Sequence, residues 1–500
     1  MLCILSYNIL TKKISQSLLN AVLMLFYNEL FNNSNEIKIF ICGIGGIGTS
    51  ALAILAKNCG CEVFGSNEEE NKNTKRLKEL GLTIFIGHKA ENLQNCNLFV
   101  YSRAIDVNTN IEAIEATSRH IPRLERGEML AILMNQYYNI VVAGSHGKTT
   151  TTGFISHVLK QLELKPNILL GGVLNEINLN CETNTGKYFV VESDESDGSF
   201  LRMPANIGVI TNINPEHMEF YKTKDNLEYY FFKFAENAIK QDGLITCIDD
   251  EIGRNILSKL GNKNDKIITY SLYDTKADFY AKNIELKQDG LAFVAVNNIT
   301  KTEENVFIAN MFGEINASNA LVSFAIGQIL KQSSKRIAEA FANFQGIQKR
   351  FTITGKIHDT LVIDDYAHNP QKIDCAIGSA KHYMKGHNMN GKLIVVFEPH
   401  RYTRVRDGID LFAKSFEKVD YLITLPIYAS SEHEIEGINN EFVYTKCKNN
   451  NPNTFKCDLD AKKIAELLKS INVFDKQNLI VFMGAGRSTK MAHEIVDVIV

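Results

Sequence analysis

Residues 139–152 read Asn139-Ile140-Val141-Val142-Ala143-Gly144-Ser145-His146-Gly147-Lys148-Thr149-Thr150-Thr151-Thr152, an apolar run broken by a glycine-bounded turn. A buried strand feeding such a turn, and a helix opening on Lys-Thr, is an arrangement that cradles phosphate. Backbone N–H groups at the helix start face the anion, the lysine reaches the β- and γ-phosphates, and the next hydroxyl can ligate Mg2+. Lys148 and Thr149 hold those two positions, and Gly144, Ser145, His146, Gly147 and Thr150 complete the loop. The usual loop carries a further glycine upstream, where this chain has Val142. The pattern predicts a helix over 149–162 and makes this segment a βα unit of an ATP-binding domain.

Outward from this loop, strand and helix patterns alternate, which argues for α/β architecture with mostly parallel sheets. Upstream, strands are predicted at 37–42, 62–65, 83–86 and 98–101, with a helix at 50–58. Downstream come strands at 188–192 and 207–213, a helix at 227–240, an antiparallel rhythm across 269–308 and a helix at 316–330. From about residue 346, strands at 361–365, 393–398, 421–426 and 479–483 alternate with helices. The chain therefore reads as three α/β domains in series: Rossmann-like over 36–136, P-loop ATPase-like over 137–346, and Rossmann-like over 347–500. A length of 500 residues suits several cores better than one.

Lys+Arg of 54 against Asp+Glu of 57, with no long basic block, gives no nucleic-acid surface. No apolar run is long enough to insert across a membrane. Ten cysteines without a Cys-x-x-Cys pair favour a reducing cytosol over a disulfide framework. Residues 1–35 stand apart as an N-terminal extension. Lys12 and Lys13 precede an apolar stretch interrupted by Asn20, but no small-residue cleavage site follows. They are read as an added amphipathic helix or an over-long start, with Met24 as an alternative beginning.

Two further groups of residues carry chemistry. Gly43, Gly45 and Gly48 form G-x-G-x-x-G between a strand and a helix, the context of a diphosphate-binding turn or of a purely structural one. A nicotinamide cofactor would need an acidic residue at the end of the second strand, where Ser66-Asn67 stand, so another nucleotide diphosphate fits better. Glu192, Asp194, Glu195 and Asp197 follow the strand at 188–192, where doubly wound sheets bind ligands, and carboxylate oxygens suit Mg2+. Asp197 is equally readable as a helix cap. His217 closes Asn212-Ile213-Asn214-Pro215-Glu216-His217 at the end of the next strand.

Gly144-Ser145-His146-Gly147-Lys148-Thr149-Thr150 resembles the ATP loop of the Mur ligase family, with His146 where folylpolyglutamate synthetases tend to carry Asn. The other strings agree. Gln348-Lys349-Arg350-Phe351 is similar to the Arg-Arg-Phe that opens the family's last domain. Asp364-Asp365-Tyr366-Ala367-His368-Asn369-Pro370 resembles Asp-Asp-Tyr-Gly/Ala-His-His-Pro, with Asn369 replacing the second His. Glu398-Pro399-His400-Arg401-Tyr402-Thr403-Arg404 resembles Gln-Pro-His-Arg-Tyr-Thr-Arg of the alanine-adding branch. Gly313-Glu314-Ile315-Asn316 with Asn319 is similar to an adenine-contacting stretch, Ile315 standing where His is usual.

The resemblance implies an ATP- and Mg2+-dependent ligase that phosphorylates the lactyl carboxylate of UDP-N-acetylmuramate and lets L-alanine attack the acyl phosphate. It implies ATP contacts from the loop residues 144–150, Asn316, Asn319, Arg350 and Asp365, and metal ligands Thr149, Glu192 and His217. It implies nucleotide-sugar contacts from Gly43, Gly45, Gly46, Gly48, Ser66, His88 and Ser102. Lys148, Arg350, His368, Arg401 and Arg404 become the catalytic candidates, with His368 as base and His400, Arg401 and Arg404 holding substrate. Some relatives carry a carbamylated lysine at the position of Phe232; its neighbour Lys233 is the alternative. A recycling ligase that attaches a peptide to the same nucleotide is the rival reading. Oligomeric state is left open.

Overall fold

The computed structural model describes residues 37–499 apart from 103, 262–263, 431 and 475. The expectations for the N-terminal extension and for Met24 as a start lie outside the described residues. The chain forms two compact units. Of the described residues, the first comprises those through Val173, with Ile177–Phe279 and Val322–Lys331; the second comprises Leu174–Glu176, Tyr280–Leu321 and those from Gln332 onward.

The first unit opens with β1 (Lys38–Cys42), α1 (Ile47–Asn58), β2 (Glu62–Asn67), α2 (Lys72–Glu79), β3 (Thr83–Ile86), β4 (Leu98–Tyr101), α3 (Ile111–Ser118), β5 (Arg123–Glu125) and α4 (Arg126–Met134). These strands make one parallel sheet ordered β3-β2-β1-β4-β5. Next come β6 (Tyr138–Ala143), α5 (Lys148–Gln161), β7 (Asn167–Leu174), β8 (Leu179–Glu182), β9 (Tyr188–Glu192) and β10 (Ile207–Ile210). They are followed by α6 (Met218–Tyr221), α7 (Lys224–Lys240), β11 (Gly243–Cys247), α8 (Glu251–Leu260) and β12 (Ile267–Ser271). These strands are ordered β12-β11-β10-β6-β9-β7-β8, and the pairs from β12 to β9 are parallel.

A strand buried on both faces reads as an unbroken apolar run, and β6 and β10 do so. The predicted strand over 207–213 ends three residues sooner, because Thr211 and Asn212 leave the ladder to bond the phosphate loop. One apolar core runs through both sheets, joining Ile39 and Ile41 of β1 to Val141 and Ala143 of β6. Its bridge is α4, in which Met129 to Met134 are all buried. A helix apolar on every side has no solvent face and must be packed all round.

The second unit carries β13 (Phe279–Lys287), β14 (Gly290–Asn297) and β15 (Thr302–Ala309), with β14 and β15 antiparallel as their alternation predicts. After α9 (Ile315–Ile329) and α10 (Ser334–Ala340) come β16 (Thr352–Ile357), β17 (Thr360–Asp365), α11 (Pro370–Gly386), β18 (Leu393–Phe397), α12 (Tyr402–Phe416) and β19 (Tyr421–Thr424). The chain closes with α13 (Asn440–Asn450), β20 (Thr454–Lys456), α14 (Ala461–Ser470), β21 (Leu479–Met483) and α15 (Ser488–Ile499). The sheet order is β16-β17-β21-β18-β19-β20, antiparallel only at β16. Successive residues point to opposite faces. Ile363, Val395 and Val481 accordingly enter one core, and Val362, Ile394 and Ile480 the other.

Packing between β1 and β2 depends on Gly65. A Cβ there would lie 2.2 Å from the Ile41 carbonyl oxygen and 3.0 Å from Ile44 Cδ1. Gly65→Ala should force the strands apart and destabilise the first unit by about 1–3 kcal/mol, read from the urea midpoint of unfolding.

Candidate active site

The phosphate loop leaves the carboxyl end of β6 and is tied down by the next strand's end. Ser145 N donates to Asn212 O (2.9 Å) and His146 N to Asn212 Oδ1 (3.0 Å). Thr211 Oγ1 and Asn212 Nδ2 donate to His146 O. Gly144 has φ +136°, and a Cβ would fall 2.1 Å from Thr211 Oγ1, so only glycine fits. Gly147 is also left-handed, at φ +79°. Val142 is the penultimate residue of β6, fully buried and paired with both Glu192 and Val209. The glycine of longer loops is replaced here by strand.

Lys148 begins α5 and folds back over the loop, donating to Gly144 O (2.6 Å) and Ser145 O (3.3 Å) and pairing with Glu195 Oε2 at 2.6 Å. Burial opposes its charge, but Glu195 and Glu192 prevail and hold the ammonium above its usual range. Thr149 Oγ1 donates to Glu192 Oε1 (2.9 Å), while Glu192 Oε2 accepts from Gly171 N (2.6 Å). Thr150 is buried one residue further along.

His217 meets Glu195 at 3.6 Å and Glu219 at 3.8 Å, and Glu216 joins the first pair: ligand atoms of Glu195, Glu216 and His217 lie within 4.8 Å of one another, a group that does not include the expected Glu192. His217 itself is held at φ +55°, a left-handed conformation uncommon for a side-chain-bearing residue. Asp194 and Asp197 instead accept from Ser196 N and Ser199 N, two residues on, so both shape the turn, and the short helical turn that follows starts at Gly198 with no side-chain cap. Two carboxylates and one imidazole, those of Glu195, Glu216 and His217, form an oxygen-rich group that fits Mg2+ better than a soft metal, while Thr149 and Glu192 are bonded to each other outside it. The sequence set Glu195 among four strand-end carboxylates without pairing it with His217, and it did not single out Glu216, because the direction of a strand-end side chain is not written in spacing. Lys233 pairs with Glu236 (2.8 Å) on the exposed side of α7, and Phe232 packs on the core.

At the first glycine turn, Gly43 N and Ile44 N donate to Ser66 O, Gly45 N to Asn67 Oδ1, and Gly46 N to Gly43 O. Gly43 has φ +75°, and a Cβ on Gly48 would meet the Arg126 guanidinium. Ser66 Oγ donates to the buried Glu112 (2.6 Å), which also accepts from His88 Nδ1 (2.9 Å). Ser102 lies beside Gly43 and donates its N–H to Cys42 O (3.2 Å).

In the second unit, Asp365 accepts from Phe351 N and Ala367 N, both at 2.9 Å. Burial raises its pKa against the pull of Arg350, whose guanidinium lies 5.7 Å over the Tyr366 ring. Asn316 donates to Phe312 O (2.8 Å) and Asn319 to Asn316 Oδ1 (3.3 Å), while Ile315 is partly exposed at the start of α9. Asn369 caps α11 by accepting from Lys372 N (2.9 Å), which accounts physically for Asn where a second His is usual. His368 Nδ1 donates to Tyr366 O (2.7 Å), and its ring lies 5.4 Å from that of His400. Arg404 donates to His400 Nδ1 (2.8 Å), and Arg401 pairs with Glu432 (2.7 Å).

A parallel sheet with a phosphate loop at its carboxyl edge, backed by carboxylates and a histidine, defines a nucleotide-dependent enzyme. Three family signatures follow one another along the chain: Mur ligase family, catalytic domain, at residues 38–138; Mur ligase middle domain at 142–327; and Mur ligase, glutamate ligase domain, at 349–486. The UDP-N-acetylmuramate–L-alanine ligase of Rickettsia felis is 35% identical over 476 residues, covering 93% of this chain and 97% of the relative. That of Rhizobium etli is 34% identical over 460 residues, covering 91% and 95%. The crystal structure of the Thermotoga maritima UDP-N-acetylmuramate–alanine ligase superposes with a TM-score of 0.76 at 27% identity, covering 92% of this chain and 99% of that one. A murein peptide ligase from Psychrobacter arcticus shares the fold, with a TM-score of 0.67, 23% identity and coverage of 93% and 98%. The chain belongs to the Mur ligase family, and it is an ATP-dependent ligase.

Asp364, next to Asp365, gives a pH test of the second unit. Burial pushes its carboxyl up to about 6, with Thr489 and Lys349 opposing the shift. Because the folded value lies above the unfolded one, the stability it contributes is full below about pH 4 and is lost as pH rises through 6, in all about 3 kcal/mol. Asp364→Asn should flatten the fall in unfolding free energy between pH 4 and 7.

Proposed function

We propose that this chain joins L-alanine to the lactyl carboxylate of UDP-N-acetylmuramate, using ATP and supplying a peptidoglycan precursor. The observation that carries this reading is the 35% identity to L-alanine ligases along nearly the whole chain. We place the reaction in the cytosol: every cysteine among the described residues is a free thiol, and no described helix is long and apolar enough to cross a membrane. The domain division 36–136, 137–346 and 347–500 is retained as our reading of the architecture.

ATP and the substrate carboxylate are both anions, so the reaction needs charge neutralised and groups positioned. Loop residues 144–150 cradle the phosphates, and Lys148 exchanges its protein carbonyls for phosphate oxygens. Thr149, Glu192 and His217 are the proposed ligands for Mg2+, with Glu195 and Glu216 beside His217. Mg2+ supplies charge neutralisation of phosphate oxygens when bound. In the second unit, Arg350 is the proposed phosphate contact, Asp365 braces its loop, and Asn316 and Asn319 are assigned to the adenine. Arg401, Arg404 and His400 are assigned to the amino acid and the acyl phosphate. His368 accepts the proton of the attacking amine through Nε2, since Nδ1 is committed to Tyr366 O.

Phosphate release measured with ATP, Mg2+, UDP-N-acetylmuramate and single amino acids tests the assignment. L-Alanine should support turnover, and a chain that turns over only with a tripeptide would be a recycling ligase instead. Lys148→Ala should lower kcat/KM on the order of a thousandfold. Turnover within a few-fold of wild type would remove Lys148 from the phosphate site.

A further inference from the structure

The amides of the first glycine turn are spent. N–H groups of residues 43 to 46 all donate to protein acceptors, and α1 has no acidic residue in its first turn. A diphosphate at this turn therefore needs donors from side chains as well as from the helix start. His88 lies two residues beyond β3, at the carboxyl edge where parallel sheets bind ligands. It is bonded to Glu112 of α3, which is wholly buried and accepts four donors. These are Ser66 Oγ (2.6 Å), Asn92 Nδ2 (2.7 Å), His88 Nδ1 (2.9 Å) and Lys89 N (3.2 Å). Four converging donors are what an anionic carboxylate can accept.

Two consequences follow for the imidazole. Its Nδ1 faces Glu112 Oε2 at 2.9 Å, the Ser66 hydroxyl at 3.0 Å and the Cys42 thiol at 3.7 Å; a carboxylate only accepts, so donation to Glu112 places the proton on Nδ1, and Nε2 has no partner among the described residues. Its side chain keeps 14% exposure, beside a carboxylate that has none. Ser66 links the same carboxylate to the turn, because its carbonyl accepts from Gly43 N and Ile44 N while its hydroxyl donates to Glu112. Cys42, at the end of β1, is a thiol raised out of its usual range by burial and by Glu112, and it donates to Asn110 Oδ1 (3.7 Å). It adds no competing anion.

We propose that Glu112 is a positioning residue for nucleotide-sugar binding, acting through His88: it fixes the ring so that Nε2 is presented to the diphosphate. Asn110, which caps α3 by accepting from Glu112 N and Ala113 N, holds Glu112 in place. The proposal rests on the nucleotide-sugar reading of the first unit.

Equilibrium binding of UDP-N-acetylmuramate to the full chain without ATP, together with KM for each substrate, tests it. Glu112→Gln should weaken nucleotide-sugar binding about tenfold or more and leave KM for ATP and L-alanine unchanged. His88→Ala should do the same, and the double variant should bind no more weakly than His88→Ala alone, because one interaction is lost either way. Glu112→Asp, which keeps the carboxylate, should restore part of the affinity and serves as the variant to read if Glu112→Gln fails to fold. A Glu112→Gln protein that binds like wild type, or whose loss adds fully to that of His88→Ala, overturns the positioning role. A wild-type protein that binds no UDP-N-acetylmuramate overturns the underlying reading instead.

Discussion

A buried ammonium must be surrounded by acceptors, and Lys148 meets that condition in a way that orders the first unit's site. Its charge is held by two loop carbonyls and by Glu195, with Glu192 one step further away. The pair of Glu195 and Lys148 is itself costly to bury, and burial raises the Glu195 carboxyl while Lys148 lowers it. Such a pair is poor evidence for stability but good evidence for an exchangeable arrangement. On the phosphate-site reading proposed above, a phosphate in the loop would compete with Glu195 for Lys148 and leave that carboxylate with His217 and Glu216 as its neighbours. On that reading the ion pair of Lys148 and the group around His217 draw on the same carboxylate.

The backbone is arranged around that exchange. Gly144 cannot carry a side chain because Thr211 occupies the space, and Thr211 is there because β10 yields its last ladder positions to the loop. Neighbouring parallel strands β9, β6 and β10 end together, so Glu192, the loop and the segment running to His217 share one edge. His217 takes a left-handed conformation at the far end of that segment. Strain of this kind is retained where the surroundings impose it, as they do at a ligand site.

Much of this was legible in the sequence because buried parallel strands announce themselves. The runs at 139–143, 188–192, 393–397 and 479–483 are apolar without alternation, and each forms a strand buried on both faces. Short edge strands such as β20 and the antiparallel β16, with half-exposed residues, gave no such signal. The continuity of the core through α4 was hidden too: no element was predicted at Met129 to Met134, and an apolar run does not say how many neighbours a helix has. Glu112 was missed for a related reason. The missing acid at the end of β2 was sought in adjacent residues, whereas the fold delivers a carboxylate to Ser66 from a helix 46 positions later. Its four donors leave it with no resemblance to a ribose-binding acid. Asn369 shows the converse case, a departure from family pattern explained by a local need, the cap of α11.

The second unit treats charge in the opposite sense. His368 is driven well below its usual range, first by burial and then by Lys372 and Arg404, and His400 is lowered to about 4 by burial, Arg404 and Arg401. Both imidazoles are therefore neutral near pH 7, and His368 has an Nε2 lone pair to offer. A base so depressed is weak, which would be a defect if its substrate were an ordinary ammonium. The field that lowers an imidazole acts with the same sign on any cation bound beside it, however. A positive field lowers the pKa of an α-ammonium as well, so a larger share of an amine bound there is the free base at neutral pH. Arg401 and Arg404, which we assign to the amino acid, would on that assignment favour its free, nucleophilic amine as well as hold its carboxylate.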